Sequence, residues 1–355
     1  MPFQARTTRT KPSYGCPFKP PPLTSPFIAA VVMAELVVAV PPLLRADQAE
    51  QRYNEAVQAA VEKCAADTAG RTCFICMDGA AAEGLVRGCA CRGGAGYAHL
   101  SCLARGAQVA VERSADGLGF ERWHTCGLCE QRYHGVVSCA LGWACWKTYV
   151  GRPEADHARQ LAISVLGRSL FEAEHFADAL SVQEAELSML RRLGTSTHNI
   201  LIVQGNLAST YQLLGRLEEA LRLKRDVYSG RMKLQGEDCY ETLLTANNYS
   251  TSLLALERYQ EAKTLSRRTV PVARRVHGES HDLTLSLRWN YAAALYRDPS
   301  ATLDDLRVAV TTLEDVGRIA QQVLGGSHPY TVHIEGGLRA SRAVLRARET
   351  PSASA

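Results

Sequence analysis

Eight potential metal ligands fall in four close pairs between residues 73 and 129: "CFIC" (Cys73, Cys76), "CAC" (Cys89, Cys91), "HLSC" (His99, Cys102) and "CGLC" (Cys126, Cys129). A gap of one or two residues lets both side chains of a pair turn toward one ion, and zinc takes four thiolate or imidazole ligands in a tetrahedron. Four pairs therefore predict two zinc sites. Both are closed, with no position left for water, so the metal is structural and not a Lewis acid. A stretch of about 60 residues buries too little surface to hold itself together. A structural zinc contributes on the order of 10–16 kcal/mol, so metal stands in for a core. Gly93, Gly94 and Gly96 let the backbone bend between ligand pairs. The chain has twelve cysteines. Clustered this way, without a clear secretory signal, they read as metal ligands before disulfides.

The order Cys-x2-Cys, x12, Cys-x1-Cys, x7, His-x2-Cys, x23, Cys-x2-Cys resembles a RING-CH zinc finger. A PHD finger shares the ligand order but has a wider second pair and fewer residues before the histidine. The resemblance implies a cross-brace: Cys73, Cys76, His99 and Cys102 on one zinc, Cys89, Cys91, Cys126 and Cys129 on the other. It also implies ubiquitin-ligase activity, by docking a charged ubiquitin-conjugating enzyme, with Ile75 and Leu128 in the docking groove. Three positions depart from the active pattern. Gly127 stands where proline is common. Glu130 stands where a cation is common, with Arg132 two residues on. The segment "LARGAQVAVER" lacks the usual groove tryptophan, and Trp123 lies just before the last pair.

Other residues of the block have plainer readings. "CGLC" is also a redox spacing, but its place as the fourth pair favours a ligand role. His124 and His134 are expected to pack or face solvent. Cys64, Cys139, Cys145 and Cys239 have no paired spacing and read as buried thiols.

After residue 155 the pattern turns helical, with apolar positions recurring at three and four, and it repeats. Asn206, Asn248 and Asn290 are each 42 residues apart, and the linkers "GEDCYET", "GESHDLT" and "GGSHPYT" correspond. The last repeat carries an insertion near "RDPSAT", 297–302. This half resembles the long-period tetratricopeptide array of kinesin light chain, over about 158–340. Four helical hairpins would stack, each covering the apolar face of the next, closed by "TVHIEGGLRASRAVLRARE". Small residues fall where helices approach: Gly167, Ala208 and Ala292 on first helices, Ala179, Ala220 and Ala262 on second ones. Pro271 is expected to kink a second helix. The resemblance places Asn206, Asn248 and Asn290 in a row on a concave face. Two roles stand for them: holding the backbone of a peptide ligand, or tying neighbouring helices together. The basic stretch Arg267, Arg268, Arg274, Arg275 reads as a solvated helix face.

The fold class is thus mainly α: a small cross-braced two-zinc RING-CH finger followed by an α-helical tetratricopeptide solenoid. Residues 1–50 form a disordered or targeting leader. A lead-in helix covers 51–70, the finger 71–135 and an aromatic connector 136–157. Repeats cover 158–340, and 341–355 is a helix end and disordered tail. The apolar run at 27–44 is short for a membrane span and contains Glu35, so a membrane role is not expected. A formal charge of +4 argues against bulk nucleic-acid binding. No nucleophile–base pattern, phosphate loop or open metal position is present, so there is no catalytic residue to name. The expectation is a zinc-binding ubiquitin ligase whose finger docks a conjugating enzyme and whose repeats bind a substrate or peptide. The alternative is a non-catalytic interaction scaffold. The expected location is cytoplasmic or nuclear, with organelle targeting by the leader as a variant.

Overall fold

The computed structural model describes residues 44–80, 83–114 and 118–350. Most of the expected leader and the last five residues of the tail lie outside the described residues. Among the described residues, no helix is long and apolar enough to cross a membrane.

The described chain begins with α1 (Ala46–Thr68), which starts five residues before the expected lead-in helix. The finger contains little regular structure. Strands β1 (Leu85–Val86) and β2 (Ala98–His99) pair antiparallel, with Leu85 opposite His99. Helix α2 (Leu100–Arg113) continues directly from β2. A short 3-10 turn, Leu118–Trp123, leads to the last ligand pair.

Most of the stretch expected as a connector, 136–157, is a helix, α3 (Gly135–Tyr149). It is apolar all round, so it can be stable only when buried on every side. Trp143, Trp146 and Tyr149 are all buried in the main core, with Cys145. Two glycines set close approaches of α3, and a third sets the approach of the finger to α1. A Cβ on Gly142 would lie 2.6 Å from the Ser169 Cβ, one on Gly88 2.5 Å from the Val137 Cβ, and one on Gly84 2.0 Å from a Val61 methyl. No side chain fits at these points, so α3 sits flush against the finger and α4, and the finger flush against α1.

Four helical hairpins follow: α4 (His157–Glu172) with α5 (Phe176–Arg192), α6 (Thr197–Leu213) with α7 (Leu217–Gln235), α8 (Tyr240–Ala255) with α9 (Tyr259–His277), and α10 (Asp282–Tyr296) with α11 (Leu303–Leu324). Side-chain caps start several of them. Asp156 accepts from the Ala158 and Arg159 amides, Ser196 from Asn199, and Thr302 forms a reciprocal capping box with Asp305. Gly194, Gly236, Gly278 and Gly325 close the second helices in the left-handed region, at φ of 60° to 88°. Gly167 and the alanines at 179, 208, 220, 262 and 292 are buried as their spacing requires. Helix α9 runs unbroken through Pro271, which lies on its exposed side.

The chain divides into two compact units, and among the described residues the division falls between Leu223 and Lys224, inside α7. In the first unit one core runs from Leu44 of the amino-terminal segment through Trp123, Trp146 and Leu166 to Leu207. A smaller core joins α1 to the finger through Ala60, Val86, Leu100 and Leu141. Glu172 of α4 ties the finger further, pairing with Arg132 at 3.5 Å and accepting from the Ser138 hydroxyl at 3.2 Å.

In the second unit Leu243, Val272, Ala273, Leu283 and Leu287 form an apolar cluster. The 297–302 insertion is a turn organised by Asp298, which accepts from the Ser300 amide at 2.8 Å and from Gln260 at 2.5 Å. Helix α12 (Pro329–Glu349) buries one stripe, Thr331, Ile334, Gly337 and Ser341, and leaves its arginine-rich face to water. That is how a closing helix ends a stack without leaving an apolar face exposed.

Candidate metal centres and the groove beside them

Two clusters of ligand atoms form in the finger. Cys73, Cys76, His99 and Cys102 converge in one; Cys89, Cys91, Cys126 and Cys129 converge in the other. Within each, the ligand atoms lie no more than 4.8 Å apart. The pairing is crossed: the first and third pairs share one cluster, the second and fourth the other.

The distances fit tetrahedral zinc. Zinc–sulfur bonds of about 2.3 Å put two sulfurs about 3.8 Å apart across a tetrahedron. The Cys91 and Cys126 sulfurs are 3.6 Å apart, far beyond a disulfide bond. The His99 Nδ1 lies 3.3 Å from the Cys76 sulfur and 3.8 Å from that of Cys102. Its other nitrogen, Nε2, lies 3.0 Å from the Gly79 carbonyl. The carbonyl accepts from Nε2–H, leaving Nδ1 as the ligand atom. Each cluster could therefore hold one zinc, which when bound would link segments that otherwise share little core.

The Cys-x-x-Cys pairs are built alike. The Ile75 amide donates to the Cys73 sulfur at 3.4 Å, and the Leu128 amide to that of Cys126 at 3.5 Å. Met77 and Glu130 close the two loops with φ of 65° and 55°, and single bridges Thr72–Gly79 and Thr125–Arg132 complete them. Burial pushes the Cys73 thiol up, but hydrogen bonds from the backbone of Cys76, His99 and Ile75 outweigh it and bring it down to about 7. The Cys126 thiol, pushed up by burial, is likewise brought to about 7, chiefly by the Cys129 and Leu128 amides. Both loops thus favour the thiolate a metal needs.

This loop geometry also throws the middle residues outward. Ile75 is 45% exposed and Leu128 56% exposed, large values for such side chains. Both line one groove, whose third wall is α2. That wall is low, made by Leu103 with Gly106, Ala107 and Ala110. Arg122 and Tyr133 complete it. Arg122 was not singled out in the sequence. Its one signal is its place four residues before Cys126, at the end of the turn that delivers the last pair.

Residues 73–129 match the RING-variant domain. The cysteine block is a RING-variant zinc finger. Residues 242–282 match the tetratricopeptide repeat. Among solved structures the chain is similar to a substituted form of the nearly identical TPR-like repeats of a protein assigned as kinesin light chain in Podosopora anserina. Identity is 19% and the TM-score 0.46, covering 64% of this chain and 98% of that one. It is also similar to BtubC (BKLC) from P. vanneervenii, at 16% identity and TM-score 0.44, covering 72% of this chain and 94% of that one. No curated protein matches the chain.

The remaining candidates divide. His124 and His134 belong to neither cluster. His124 is held down to about 4 by burial and by the charges of Arg168 and Arg132, and contacts the Thr125 hydroxyl at 3.0 Å. Trp123 does not serve the RING-variant groove: it is buried in the main core, edge-on to Tyr149. Cys64, Cys139 and Cys145 are buried free thiols. Cys239 is buried too.

The three asparagines do not share one environment. Asn206 and Asn248 are exposed. Asn290 is buried, and its Nδ2 donates to the Asn247 side chain at 3.0 Å and reaches Thr251 at 3.3 Å. Its Nδ2 thus links α10 to α8. In the basic stretch, Arg274 pairs with Glu279 and Arg275 with Asp238.

Proposed function

We propose that this protein is a modular ubiquitin ligase whose RING-variant finger docks a charged ubiquitin-conjugating enzyme and whose repeats hold a target. One observation carries the reading. The tips of both metal loops, Ile75 and Leu128, are exposed apolar residues on one groove against α2. Apolar side chains held out by a rigid backbone are suited to anchor a partner. No nucleophile of the ligase's own is required, because bringing the thioester and the accepting lysine together supplies the rate. On the repeats, Asn206 and Asn248 offer exposed amides. Each has an exposed apolar residue four positions earlier, Ile202 and Leu244, on the same helical face. An amide beside an apolar contact suits an extended peptide.

The test is autoubiquitination by the full chain with a panel of conjugating enzymes. Chain formation that is lost in Ile75→Ala, while two zincs per molecule remain by mass spectrometry, supports the ligase. A two-zinc protein that forms no chains with any enzyme overturns it.

A second reading is favoured by Glu130 and Arg132. Glu130 stands where a cation is common in active fingers, and Arg132 is engaged by Glu172. A non-catalytic scaffold would carry these features. It predicts that the groove binds a protein partner without ubiquitin transfer.

A further inference from the structure

We propose that Arg122 is the specificity-determining residue of the groove, selecting conjugating enzymes that place a carboxylate beside the apolar anchor they insert. This rests on the docking reading above. Arg122 is the one positively charged residue lining the groove among the described residues, and it is exposed. It is held in place. Its Nη1 donates to the Cys126 carbonyl at 3.4 Å, and its guanidinium lies over Gly127, where an added Cβ would meet Nη1 at 3.6 Å. The guanidinium thus rests at van der Waals distance from the metal loop.

Among the described residues Arg122 has no carboxylate within ion-pair distance, whereas Arg132 pairs with Glu172 and Arg105 with Glu112. A partner that covers the groove removes water from this cation. A guanidinium left unpaired at an interface costs affinity, and one met by a carboxylate in a planar two-point contact adds specificity. The low wall at Gly106, Ala107 and Ala110 leaves room for a broad anchor, so the fitting partner presents an aromatic or large aliphatic residue with an acid beside it.

The experiment uses the full zinc-loaded chain and any conjugating enzyme that it binds, with affinity measured by calorimetry. Arg122→Glu is expected to weaken binding by tenfold or more, and Arg122→Lys, which keeps the charge but not the two-point contact, by a smaller factor. Reversing the matching acid on the enzyme to lysine should weaken binding to the native chain to a similar degree. Combining both reversals should recover at least half of the loss on a logarithmic scale. Zinc content and thermal midpoint, measured on every variant, exclude unfolding as the cause. Native-like binding by Arg122→Glu alongside lost binding by Ile75→Ala overturns the role of Arg122 and leaves docking intact. Failure of every acid reversal on the enzyme's docking face to restore Arg122→Glu also overturns it. Absence of binding by the native chain to the whole panel overturns the docking reading itself, and this inference with it.

Discussion

The Cys91 and Cys126 sulfurs are 3.6 Å apart although 35 residues separate them in the chain. They belong to one site, while Cys76 belongs to the other. We expect Cys91→Ser and Cys126→Ser each to lose one of two zincs, and the double variant to lose no more than either alone. Cys76→Ser combined with Cys126→Ser should lose both. Mass spectrometry of the native proteins reads the counts, and additive loss for Cys91 with Cys126 would refute the shared site.

The finger also braces the first hairpin. Val137 of α3 meets Gly88 of the finger, and Gly142 of the same helix meets Ser169 of α4. Metal removal should therefore be felt beyond the ligands. Chelation is expected to raise amide exchange in α3 and along α4 as well as in the finger. Gly142→Ala should cost about 1–3 kcal/mol by forced overpacking, despite alanine's better helix propensity. Unchanged exchange in α3 after metal loss would contradict the brace.

Glu186 on α5 is almost wholly buried and is hydrogen-bonded by the Ser164 hydroxyl of α4. Burial raises its carboxyl from the ordinary 4.5 to about 7, against the opposing effect of that hydrogen bond. A carboxyl raised by folding binds its proton more tightly in the folded state. The stabilisation is complete below about 4.5 and is lost as pH rises through about 7. We expect Glu186→Gln to flatten this dependence and to gain about 2–3 kcal/mol above pH 7. Denaturant melts at pH 5 and pH 8 measure it, and a gain equal at both pH values would refute the cause.

The turns inside two hairpins carry local strain. Glu174 and Glu257 have φ of 65° and 57°, where the corresponding turn of the second hairpin has Gly215 at 75°. Glycine takes this conformation without the steric cost a Cβ brings. Glu174→Gly and Glu257→Gly should each stabilise the fold by up to about 1 kcal/mol, read as a raised denaturation midpoint at unchanged slope.

Much of the fold was legible because its determinants are local. A ligand pair needs only its own spacing, and a helix hairpin its caps, its closing glycine and a small residue where the neighbour crosses. Thus the four zinc-ligand pairs and the small residues at 167, 179, 208, 220, 262 and 292 could be read from residue type and position. The helical character of the 136–157 stretch was harder. A segment apolar on all sides shows no face, and so no period, by which to separate a helix from a packed connector.

The sequence by itself determined that metal would replace a core in the amino-terminal part and that repeated helical hairpins would follow, since ligand chemistry and helix periodicity act over a few residues. Only the tertiary structure decided that Asn290 is spent on Asn247 while Asn206 and Asn248 remain exposed, that Trp123 turns into the core, and that Arg122 settles over Gly127 beside two exposed apolar tips. The physical reason is the same in each case. Whether a polar or aromatic side chain is buried, paired or left to water depends on what distant segments bring against it, and residues of one type at one period can meet different neighbours.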